Sequence, residues 1–106
     1  MRAEASESAR PAFDAIIVDG VVRLTGGLVF TTAAAAFAKL LALLPRSGSL
    51  EVDLSALESS DSAGLAALVE WRAEAAKRGL HMCFAGAGKQ LHALARLADL
   101  DAELFR

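Results

Sequence analysis

The side chains best suited to chemistry lie in two short stretches. The first reads Ser59-Ser60-Asp61-Ser62-Ala63-Gly64. From Ser60 to Gly64 it is one residue away from the nucleophile pattern G-x-S-x-G. That pattern needs a sharp strand-to-helix turn, an oxyanion loop, and a downstream acid and histidine. Here several residues separate Ser62 from the preceding apolar run, and a chain of 106 residues is far below the usual size of such hydrolases. The second stretch is Gly86-Ala87-Gly88-Lys89, which follows an apolar run as a phosphate loop would. A phosphate loop also needs a glycine where Cys83 stands and a serine or threonine where Gln90 stands. The glycines are therefore read as turn residues. His81 and His92 have no metal-ligand spacing to each other or to Cys83, and each is read as structural. The expectation is a protein that is not an enzyme and has no catalytic, cofactor-binding or metal site.

What remains for Ser59, Ser60, Asp61 and Ser62 is helix capping and recognition. Short polar side chains at a helix start accept hydrogen bonds from its free backbone N–H groups. The helix they would open runs over 62–78 and stops at Gly79 in the C′ position. On a 100° wheel Leu65, Leu68, Val69, Ala75 and Ala76 fall on one side, expected to face a sheet. Glu70, Glu74, Lys77 and Arg78 fall opposite. Trp71 lies at the flank, open to two readings: a ring packed on the rim of the core, or a partner contact of the kind Trp often makes.

Around this helix the chain alternates strands and helices. FDAIIV (13–18) and VVRLTG (21–26) are β-branched runs joined by Asp19-Gly20, a hairpin signal with a type I′ turn. Gly26-Gly27 should break the second strand. Thr31 and Thr32 can cap a helix over 33–44, which Pro45 ends. LEVDL (50–54) is a short strand, SALESSD a polar turn, 80–84 a further strand and 89–97 a last helix. DLDAELFR can add an edge strand or a helical turn. The order β-β-α-β-α-β-α implies a single α/β domain over 13–106, with a mixed sheet and helices packed mainly on one side. Residues 1–12 read as a frayed or disordered tail.

Composition narrows the partners. Hydrophobic residues make up 55% and charged residues 23%, as in a globular core-forming chain. A net charge of −2, 6% aromatics and no Tyr give no reason to expect nucleic acid. One cysteine excludes an intrachain disulfide and fits a reducing compartment. The run at 33–44 is too short to span a bilayer, so no direct membrane insertion is expected. That run is unusual in another way. Phe37, Leu40, Leu41 and Leu44 form a core stripe, yet its back is alanine, with Lys39 the sole charge. A free surface helix carries a polar back. The alternatives are alanine chosen for helix propensity or a face covered by a partner.

LEVDLSALESSDSAGLAALVEW (50–71) resembles the central signature of STAS domains, named after sulphate transporters and anti-sigma factor antagonists. Asp53, Leu54, Ser55, Asp61, Ser62, Gly64 and Leu65 match it. Within that family, anti-sigma factor antagonists carry Asp-Ser-Ser-Gly in the turn, and a kinase phosphorylates the second serine. Ala63 stands at that position here. The Ala-Gly-Leu-Ala run and the Ala-Lys-Arg-Gly helix end look like the STAS subunit of the bacterial Mla phospholipid ABC transporter, which carries Thr where Ser62 stands. The resemblance implies an accessory subunit, cytoplasmic and peripheral on the inner membrane. It would support the transporter's ATPase subunit, with the permease in the same complex, in maintaining outer-membrane lipid asymmetry. The alternative it implies is an anti-sigma factor antagonist lacking the usual phosphorylated serine. The expected partner-binding set is Ser59, Ser60, Asp61, Ser62, Ala63 and Gly64, with Ala34, Ala38 and Trp71.

Overall fold

A computed structural model describes residues 12–105. The tail expected over 1–12 therefore lies, but for Ala12, outside the described residues. The chain opens with the expected hairpin, β1 (Asp14–Val18) and β2 (Val21–Leu28), paired antiparallel from Asp14↔Thr25 to Val18↔Val21. Asp19 and Gly20 both take positive φ, 51° and 80°, as a type I′ turn requires. Then come α1 (Phe30–Ala42), β3 (Ser49–Asp53), β4 (Leu57–Ser60), α2 (Ser62–Lys77), β5 (His81–Ala85), α3 (Lys89–Leu97) and a final turn α4 (Asp101–Leu104).

The sheet order is β1-β2-β3-β5, with β4 pairing β2. Beyond the hairpin all pairings are parallel. β2 therefore forks: Val21–Arg23 pair with β3, and Gly26–Leu28 pair with β4. Gly26-Gly27 does not end the strand. The register shifts between the two glycines, so they form an irregularity inside β2. β4 corrects the expectation of a polar turn over SALESSD. Its pairing with β2 is made by backbone, and its side chains carry little apolar signal.

Alternation decides which sheet face is covered. The registers place Val22, Val52 and Phe84 in one row, all fully buried beneath helices. The opposite face carries Arg23 beside Asp53, an ion pair of 3.2 Å. This pair is solvent-accessible and contributes about 0–1 kcal/mol. The architecture is thus an α/β domain with a mixed five-stranded sheet.

Two helix details differ from expectation. α1 starts at Phe30 rather than 33, and Val29 holds the cap position. Thr32 acts from inside the helix: its hydroxyl accepts from the Val29 N–H (2.9 Å) and donates to the Gly27 carbonyl (2.8 Å). α2 buries Gly64, Leu65, Ala67, Leu68, Trp71 and Ala75. Its buried stripe is rotated toward Trp71 and away from Ala76, which is exposed. Packing against α1 on that flank is the reason. Trp71 is fully buried, its ring lies 6.1 Å from that of Phe84, and its Nε1–H donates to the Leu40 carbonyl of α1 at 2.8 Å. The expected exposure of Trp71 to a partner is corrected: its ring is a core element that joins α1, α2 and the sheet. At the other end of α2, the Gly79 and Leu80 N–H groups bond back to Ala76 and Ala75, with Gly79 at φ 75°, as a C′ glycine does.

Candidate functional site: the Asp61 corner

Asp61 is extended and caps α2. One carboxylate oxygen accepts the Gly64 N–H at 3.0 Å, and the other accepts the Phe30 N–H at 3.0 Å. One side chain thereby holds the N-termini of α1 and α2 together. These bonds, first that from Phe30 and then that from Gly64, lower the Asp61 carboxyl pKa below its ordinary value. Gly64 makes the corner tight. A Cβ there would sit 2.0 Å from the Leu28 carbonyl oxygen, so only glycine lets α2 start against the end of β2.

The neighbouring Asp53-Leu54-Ser55 works the same way one strand earlier. The Asp53 carboxylate accepts the Ser55 N–H (2.9 Å) and Ser55 Oγ–H (2.7 Å), while Leu54 is buried. The Ser55 bonds lead the lowering of the Asp53 pKa.

Since the folded Asp61 is a stronger acid than the unfolded one, the native state binds its proton less readily. Its stabilising contribution is full above the unfolded value of about 4 and is lost as pH falls through the lower folded value. We expect Asp61→Ala to cost about 1–2 kcal/mol at neutral pH. That cost should shrink below about pH 4, where the parent loses the same contribution. Urea unfolding of parent and variant at pH 7 and at pH 3 measures both; a cost that does not change with pH would contradict the assignment.

Around this corner the expected site residues separate into groups. Ser62, the first residue of α2, is exposed, and Ala63 is half-buried. Ser59 is exposed, whereas Ser60 is 94% shielded, being 6% exposed, and faces a separate cavity toward α3. Asp61 and Gly64 hold the corner from within. Ala34 and Ala38 are exposed on α1. Spaced four residues apart from Phe30, they share its side of the helix over about 12 Å. Trp71 lies inside and does not join them.

Phe30 is the feature that sequence reasoning missed. It is 79% exposed, although it is one of the largest apolar side chains of the chain, and its backbone is fixed by Asp61. Its position ahead of Thr31-Thr32 hid it, because the helix was expected to begin later. The corner thus offers an aromatic ring, a free-standing serine hydroxyl and a track of alanines. Among the described residues no titratable side chain hydrogen-bonds to Ser62. His92 is held elsewhere, 2.6 Å from Asp101 and against the Phe105 ring. No cluster of His, Cys, Asp and Glu among the described residues could hold a metal ion. Likewise none of their helices is long and apolar enough to cross a membrane.

Residues 13–106 match the family model described as Mlab, STAS domain, and the chain belongs to the STAS domain family. Similar solved structures include the anti-sigma factor antagonist SpoIIAA in its unphosphorylated form. It is 16% identical, with a TM-score of 0.70 over 90% of this chain and 86% of that one. An anti-sigma factor antagonist from Mycobacterium paratuberculosis is 26% identical, with a TM-score of 0.64 over 88% and 81%. A sulfate transporter family protein from Wolinella succinogenes is 18% identical, with a TM-score of 0.61 over 85% and 80%. No curated protein matches the chain in sequence.

Proposed function

We propose that this protein is a non-enzymatic docking subunit of a phospholipid-transporting ABC transporter of the Mla type. Its partner in this reading is the ATPase subunit, with the permease in the same complex. The protein would be cytoplasmic and held at the inner membrane through that partner, supporting outer-membrane lipid asymmetry. The observation that carries the reading is the exposure of Phe30 and Ser62 at the two helix starts that Asp61 joins through the Phe30 and Gly64 N–H groups. A bulky apolar ring held on rigid backbone is a suitable interface anchor. Ser62 and Ser59 add short donors and acceptors that orient a contact, and Ala34 and Ala38 let a partner approach the backbone of α1 closely. The description of the matching family model supports this branch. Ala63 supports it further, since it has no hydroxyl at the position that anti-sigma factor antagonists phosphorylate.

The second reading is a regulator of the anti-sigma antagonist type, favoured by the similar structures of that class. The two readings part on partner and on modification. We expect the tagged protein, extracted from native membranes, to co-purify with an ABC ATPase and a permease. Its intact mass should stay unmodified after co-expression with a switch kinase. Stoichiometric phosphate on Ser62, or stable capture of a kinase without an ATPase, would replace the first reading with the second.

A further inference from the structure

β4 ends at Ser60 close to where the Gly86-Ala87-Gly88 loop enters α3, and a cavity of about 190 Å³ lies between them. Glu58, Ser60, Gly88, Lys89, Gln90 and Leu91 are among its lining. α3 starts without a side-chain cap, because Gly88 holds the cap position, and its first turn has no acidic residue. The first helical bond joins the His92 N–H to the Gly88 carbonyl, at 3.0 Å. Among the described residues, the N–H groups of Lys89, Gln90 and Leu91 have no acceptor.

A second, independent observation points into the same space. Ser60 is 6% exposed, yet among the described residues its hydroxyl has no hydrogen-bond partner. That hydroxyl is not sealed off, since no fully enclosed side-chain oxygen among the described residues lacks a partner. Ser60 is among the residues that line the cavity.

We propose that this cavity binds a phosphate-class oxyanion, either free phosphate or a small phosphomonoester. The free N–H groups of the α3 start and the Ser60 hydroxyl would donate to its oxygens, as helix N-termini do for anions. Lys89, in no ion pair among the described residues, supplies the compensating charge. Glu58 lines the same cavity and opposes an anion, so its removal should tighten binding. The absent phosphate-loop residues at Cys83 and Gln90 do not matter, because this site rests on the helix start and on a strand residue outside that motif. The site adjoins the proposed docking corner and shares Ser59 with it, but it does not depend on that reading.

Amide NMR of the full chain tests the proposal. Sodium phosphate is titrated against chloride at constant ionic strength, and glycerol 3-phosphate in a second arm. The expected result is saturable shifts of the Ser60, Lys89, Gln90 and Leu91 amides. Lys89→Gln should weaken binding by about fivefold or more, and Ser60→Ala should weaken it less. Glu58→Gln should strengthen it. Saturation by phosphate alone assigns a free-ion site, and tighter saturation by glycerol 3-phosphate assigns a phosphomonoester; either supports the proposal. Shifts that do not saturate, that spread over the whole surface, or that ignore Lys89→Gln and Glu58→Gln would overturn it. Both residues are exposed, so these variants should stay folded.

Discussion

Gly64→Ala should destabilise the domain by about 3 kcal/mol, although it adds a single methyl group to a helix. The added Cβ would lie 2.0 Å from the Leu28 carbonyl oxygen and 2.9 Å from its carbon. Neither atom can yield cheaply. Leu28 is the last residue of β2 and pairs with Ser60, so moving it disturbs β4 as well. α2 cannot retreat without stretching the Asp61 bonds to Gly64 and Phe30. For a domain near 100 residues, a loss of this size lowers the melting temperature by on the order of 15 °C. Gly88→Ala is the internal control. A Cβ at Gly88 meets nothing within 4 Å, so its cost should stay under about 1 kcal/mol. Thermal unfolding of the two variants side by side reads the difference. Equal, small losses would show that the corner is looser than described.

The other large effect is expected at Trp71. Trp71→Ala removes a fully buried ring packed on Phe84, and cavities of that kind cost about 3–5 kcal/mol. Against a typical stability of 5–15 kcal/mol, such a loss leaves the domain close to unfolding. Trp71→Phe keeps most of the apolar bulk and loses the Nε1–H bond to Leu40, so its cost should be nearer 1 kcal/mol. Urea unfolding followed by circular dichroism is the suitable measurement, since the chain has a single Trp and the variants lose its fluorescence. Trp71→Phe should also leave partner binding unchanged. A binding defect in a stably folded Trp71→Phe protein would return this residue to the interface.

Trp71 illustrates why part of the fold was hidden in the sequence. The helical wheel sorts side chains by polarity around one axis, but burial depends on which neighbouring element arrives, and from which side. α1 covers the flank of α2 that the wheel left ambiguous, and Trp71 is buried there. The local signals were more legible. Asp19-Gly20 required positive φ at both positions, Gly79 had to end α2, and one of Ser59, Ser60 and Asp61 had to cap it; each depends on a few adjacent residues. β4 was illegible for the opposite reason, because the backbone of β2, thirty residues away in sequence, makes a strand of Leu57–Ser60. Of the candidate site, Ser62, Ala34 and Ala38 could be read from residue type and position. Phe30 could not, because its exposure follows from a tertiary bond between its own N–H and Asp61.

The central claim is that the corner formed by Phe30 and Ser62 is the docking face. Its most direct test is the affinity of the isolated domain for the purified ATPase subunit, measured for the parent, Ser62→Arg and Phe30→Glu. Both positions are exposed, and an acidic residue in the first turn of α1 favours that helix, so folding should change by less than about 0.5 kcal/mol. Melting curves on the same samples establish this. The account predicts that each variant weakens binding by more than about 1 kcal/mol, at least about fivefold, while remaining folded. Folded variants that bind the ATPase subunit as tightly as the parent would contradict it.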